Sequence, residues 1–110
     1  MISISTTQAL AGDKVTKKVQ ELIDSSQSSV ADSSKAFSYA QSAIDEAEKS
    51  KSNISIAAAM YNMARTFKYH DRYSYTIVYF DFAIEAYENA GEQLKVAEVL
   101  RKNLLCHGTL

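Results

Sequence analysis

Residues 57–87, AAAMYNMARTFKYHDRYSYTIVYFDFAIEAY, carry two helical patterns joined by a short polar turn, and the rest of the chain must accommodate them. Side chains three and four positions apart share one face of a helix. Ile56, Met60, Met63, Ala64 and Phe67 keep that spacing in the first pattern. Tyr73, Thr76, Ile77, Phe80, Ala83, Ile84 and Tyr87 keep it in the second. His70, Asp71 and Arg72 separate the two, and Asn89, Ala90 and Gly91 close the second, glycine being the residue that most easily takes the left-handed backbone ending a helix. A lone hairpin buries one side of each helix, so the flanks have to supply further neighbours.

The flanks are helical as well. The 110 residues include three glycines and no proline, whereas a sheet with many tight turns depends on both, so the expected class is all-α in one domain spanning residues 1–110. Residues 1–6 read as a flexible lead-in. A first helix begins near residue 7 or 13 and ends near 24, with Val15, Val19, Leu22 and Ile23 inward and Lys14, Lys17, Lys18 and Glu21 outward. The serine-rich stretch 25–34 serves as the connection and N-cap of a second helix, or alternatively as a phosphorylated or flexible regulatory linker. The second helix turns Ala36, Phe37, Ala40, Ala43, Ile44 and Ala47 inward, and Asp45 and Lys49 form an i, i+4 pair outside. Residues 50–53 break and cap the chain before a third helix over 54–69, and a fifth begins near 92 with Leu94, Val96, Ala97, Leu100 and Leu104 as its apolar positions.

Several function classes lose support here. A formal net charge of −1 is a poor match to nucleic acid, whose binding is driven by clustered Lys and Arg releasing counterions. The amino terminus lacks a basic region before its apolar residues, and no apolar run approaches the roughly 18 residues of a membrane span. With one cysteine, Cys106, no intramolecular disulfide is expected, and a cytoplasmic location follows. His70 and His107 lack the carboxylate or second histidine that metal-ligand spacings require, and no glycine-rich phosphate loop is present. Cys106 and His107 read as part of a fraying chain end. The expectation is therefore no enzyme, no cofactor and no metal.

The chain also repeats itself. IAAAMYNM from Ile56 and VAEVLRKN from Val96 align Ile56 with Val96, Ala57 with Ala97 and Met60 with Leu100, a spacing of 40 residues. FSYA at 37–40 and FDFA at 80–83 correspond more loosely. A period in this range marks stacked helix pairs. Met60, Met63, Ala64, Phe67, Thr76, Phe80 and Ala83 then fall at the spacings of the tetratricopeptide repeat, which residues 57–90 resemble, with MYNMA standing where that family commonly has W-Y-N-L-G. Thr76 replaces a small alanine, Asp71 a turn glycine and Glu88 a closing proline. The longer period resembles that of longer-helix relatives, such as vesicle-fusion attachment proteins and peptide-responsive bacterial regulators.

The resemblance implies a right-handed solenoid of about five antiparallel helices, a scaffold or adaptor that binds another protein or a peptide. It further implies that the first helix of each pair lines a concave face, which would present Tyr61, Asn62, Arg65, Lys68 and Tyr69, with Arg101 and Lys102 on the next equivalent helix. Asn62 matches a position where some members hold a terminal carboxylate, the alternative being an asparagine bonded to the neighbouring helix. A second row, Tyr75, Tyr79 and Phe82, is read either as burial between the third and fifth helices or as an interface. Leu100 and Leu104 on a fifth helix without a following mate suggest self-association as a homodimer or helix-swapped pair, or a place within a longer array.

Overall fold

A computed structural model describes residues 14–109. It holds five helices, α1 (Lys17–Ser28), α2 (Ser33–Ser50), α3 (Asn53–Tyr69), α4 (Tyr73–Asn89) and α5 (Gln93–Thr109), with no strand among the described residues. The lead-in at 1–6 and a helix onset at residue 7 or 13 lie outside that range. Within it α1 begins after Thr16, whose side chain accepts a hydrogen bond from the Val19 amide. Val15 precedes the helix instead of belonging to it.

α1 also runs further than the serine content suggests. Its buried positions Val19, Ile23 and Ser26 continue one stripe, and the Ser26 hydroxyl donates to the Ala36 carbonyl of α2 at 2.9 Å instead of competing for its own backbone. Asp32 and Ser52 cap α2 and α3 by accepting from the Lys35 and Ser55 amides. On α2 the Asp45–Lys49 pair does not form; Asp45 accepts from the Gln41 side-chain amide at 3.0 Å.

α2, α3, α4 and α5 start at residues 33, 53, 73 and 93, so one helix and its turn recur every 20 residues. The turns recur with them, the backbone taking positive φ at Lys51, Asp71 and Gly91. The last two close alike: the Arg72 amide reaches Phe67 O at 2.9 Å and the Glu92 amide reaches Tyr87 O at 3.0 Å, the six-to-one bond of a Schellman motif. Asp71 thus occupies the left-handed position that glycine holds at the next turn.

Each helix packs on its successor, and α1 also packs on α3. α3 is the centre. Its Ala57 and Ala64 join Phe80, Ala83 and Tyr87 of α4 and Val96, Val99 and Cys106 of α5 in one apolar cluster. Its Ala59 and Met63 join Val19 and Ile23 of α1 and Ala40, Ala43, Ile44 and Ala47 of α2 in the other. Alanines at the contacts let helices approach closely on both sides, and that is how α3 is buried nearly all round.

α5 departs from expectation. The face toward α4 consists of Val96, Val99, Asn103 and Cys106, while Leu94, Ala97, Leu100 and Leu104 are exposed. Asn103 is held by donating to Asp81 of α4 at 2.7 Å. The more apolar face of the helix therefore points outward. Cys106 is 1% exposed and belongs to the core instead of a fraying end.

Candidate functional site

The exposed part of α3 is narrow. Tyr61, Arg65, Lys68 and Tyr69 stand at i, i+4, i+7 and i+8, the one side of the helix not covered by α1, α2 or α4. α5 runs opposite and adds Arg101, Lys102 and Leu105. Between them lies a groove of about 590 Å³, closed at one end by Gln27 of α1 and Val30 and floored by Tyr73 and Phe80 of α4. A second cavity of about 560 Å³ shares Tyr61 and Arg65 with the first and continues to Lys14, Val15, Ile54 and Lys95. The two adjoin at Tyr61 and Arg65 and are together termed the trough; the stretch of α3 they follow, residues 54–69, is about 20 Å long at 1.5 Å per helical residue.

Tyr61 organises the middle of this trough. Its ring lies 5.7 Å from that of buried Phe80, so the floor fixes its position. The Lys102 ammonium donates to the Tyr61 hydroxyl at 2.6 Å, and Arg65 stands 5.2 Å over the ring. A cation over an aromatic face is attracted by the ring quadrupole, so both cations are held at the groove wall. Lys102 also reaches Glu98 at 3.7 Å. Arg65, Lys68 and Arg101 have no carboxylate at salt-bridge distance among the described residues.

Among the described residues no Asp or Glu lines the first cavity; Glu92 lines the second together with Lys14 and Lys95. In the lining, the Tyr73 hydroxyl donates to Asp71 Oδ1 at 3.1 Å, and this bond together with the Asp71 charge raises the phenol pKa. The trough is thus apolar and aromatic at its base and cationic along its walls, Lys14 and Lys95 accompanying Glu92 in the second cavity. Such a surface offers charge-assisted hydrogen bonds to anionic oxygens and a flat apolar seat beside them.

Of the residues expected on the concave face, Tyr61, Arg65, Lys68, Tyr69, Arg101 and Lys102 are brought together in this groove. Asn62 is not among them. It is fully buried, donating to Ser26 Oγ at 3.1 Å and accepting from the Gln27 side-chain amide at 2.6 Å. Its one-residue offset from Tyr61 turns it about 100° round the helix, onto α1 instead of into the groove. With both ends of its amide engaged, it is not free to hold a terminal carboxylate.

The expected interface residues fall into two groups. Tyr79 is half-buried and stacks on Phe67 of α3 at 5.6 Å; Tyr75 stacks on Phe67 at 5.0 Å, and Phe82 meets Tyr79 edge-on at 5.5 Å. Phe37 of α2 continues the row onto Phe67 at 4.7 Å. The row lies on the α2–α3 side of α4 and not between α3 and α5. Tyr75 and Phe82 remain about half exposed, at 53% and 45%. Leu100 and Leu104 belong to the outward face of α5 and are 45% and 69% exposed.

Gln27, Val30 and Leu105 were absent from the expected set. The first two fall in the serine-rich stretch, and nothing local to them signals a groove. Leu105 could have been found, because it stands four positions after Arg101 on the same helical face.

Compared with known proteins, the chain matches no family model, no curated protein and no solved structure. No helix among the described residues is long and apolar enough to cross a membrane.

Proposed function

We propose that this protein is a tetratricopeptide-like interaction module that binds another protein or a peptide in the trough between α3 and α5. The observation carrying this reading is the trough itself: aromatic rings at its base, cations on its walls, and a length suited to an extended segment of about six residues at 3.3 Å each. The 20-residue recurrence of helix and turn supports stacked helix pairs, with the odd-numbered helices supplying the binding face. Tyr61 and Tyr69 contribute rigid amphipathic contacts, and Arg65, Lys68, Arg101 and Lys102 contribute adaptable charged ones. The role is binding without chemistry, and no cofactor enters it.

A photo-crosslinking residue at Lys68, compared with one at exposed Lys49 on α2, tests the location in the native cell. Protein adducts at position 68 and none at 49 are expected. Equal adducts at both positions would remove the trough as the binding face.

A second reading has its own observation. Leu94, Leu100 and Leu104 are 87%, 45% and 69% exposed on one side of α5, an apolar strip of the kind that marks protein contacts. Pairing of two copies through α5 would cover it. Light scattering across a concentration series would then show a dimer that Leu104→Glu dissociates, and a strict monomer would remove this reading.

A further inference from the structure

We propose that the occupant of the trough is an acidic peptide segment, recognised through side-chain carboxylates and not through a chain terminus; this rests on the trough being the binding face. The charge distribution carries the inference. The chain as a whole is near neutral, with a formal net charge of −1, yet Arg65, Lys68, Arg101 and Lys102 converge on one cavity whose lining contains no carboxylate among the described residues. The Tyr61 ring steadies Arg65 and Lys102, but four like charges gathered at one cavity still repel one another. Three of the four have no ion-pair partner among the described residues. The missing counter-charge is supplied by the ligand.

The geometry narrows the ligand further. Arg65 and Lys102 are held against the Tyr61 ring at 5.2 and 5.3 Å, so they face an occupant lying along the aromatic floor. Phe80 and Tyr61 offer that occupant an apolar seat between cations, which suits a segment with an aliphatic or aromatic residue flanked by Asp or Glu. Lys14 and Lys95 outnumber Glu92 in the adjoining cavity, so acidic residues are accommodated along both cavities. Terminal-carboxylate capture is disfavoured because the Asn62 amide is buried and bonded to Ser26 and Gln27.

The test uses the full chain on an array of dodecapeptides blocked at both ends, in acidic, neutral and basic classes with apolar residues at varied positions. The acidic class should be selected, and affinity should fall steeply between about 50 mM and about 500 mM salt as screening shortens the reach of the charges. Arg65→Glu with Arg101→Glu should weaken that binding at least about tenfold, the scale of losing close charge pairs, while circular dichroism shows the helical fold retained. Selection of neutral or basic peptides, with binding lost in Tyr61→Ala, would overturn the acidic assignment and leave the trough as the binding face. Acidic binding unchanged by the double reversal would overturn the assignment by placing the site elsewhere. Silence in all three classes would overturn both.

Discussion

At the scale of single residues, the polar groups inside the molecule do more to fix helix order than their number suggests. Ser26 accepts from Asn62 and donates to Ala36 O, so one hydroxyl links α3, α1 and α2. Removing either partner leaves buried polar atoms unsatisfied at about 1–3 kcal/mol. Asn62→Ala and Ser26→Ala should each lose stability of that size in denaturant unfolding, and the double variant should lose clearly less than the sum, since both break the same bond. Additive losses would mean that the two side chains act separately. This network was half legible in the sequence. Ser26 continues the stripe of Val19 and Ile23 by spacing, but its residue type reads as turn, and for Asn62 a bond to the neighbouring helix stands beside the groove position without Ser26 and Gln27 being identifiable as its partners.

Tyr87 carries a second consequence at this scale. Burial first, then the neighbouring Tyr61, pushes its phenol from 10.0 up to about 12. The raised value belongs to an acid kept neutral by the fold. Below the ordinary pKa the phenol is protonated in folded and unfolded chains alike, and pH has no effect through it. Above that value the unfolded chain releases the proton while the folded one keeps it, so stability falls as pH rises, by up to about 2–3 kcal/mol across the window. Chemical denaturation from pH 9 to pH 12 should show the decline, and Tyr87→Phe should flatten it. A slope unchanged in the variant would assign the loss to other groups.

At the scale of elements, the recurring turn is the feature that sets the architecture. Lys51 and Asp71 hold φ of 57° and 59° where Gly91 holds 75°. A Cβ in the left-handed region costs about 1–2 kcal/mol, partly offset by the greater freedom of glycine in the unfolded chain. Lys51 is exposed, so Lys51→Gly should raise stability by about 0.5–1 kcal/mol, and Gly91→Ala should lower it by about 1 kcal/mol. Thermal midpoints moving in opposite directions would bear this out; a lower midpoint for Lys51→Gly would not. The helices themselves were readable because their small and bulky apolar residues keep a strict 3.6-residue period. α5 misled because two apolar stripes compete on it, and the Leu-rich one faces outward while Asn103 and Cys106 take the packed side.

At the scale of the whole molecule, fold and groove share one residue. Phe80 is 1% exposed, sits in the cluster joining α3, α4 and α5, and supports the Tyr61 ring from below. Phe80→Ala should cost about 3–5 kcal/mol, a loss of near-neutral size being incompatible with this packing. The groove was legible in outline, since the resemblance to tetratricopeptide repeats aligned the exposed faces of the third and fifth helices. Its charge was not, because the lack of carboxylates among the described lining residues is a property of four helices brought together and of none alone.

Backbone amide NMR spectra, recorded while an acidic peptide selected from the array is added, test the central claim most directly. The account predicts that the largest shift changes fall on residues 61–69 of α3 and 101–105 of α5, with α2 unmoved. Changes centred on α2 or on the outer face of α4, with the trough silent, would contradict it.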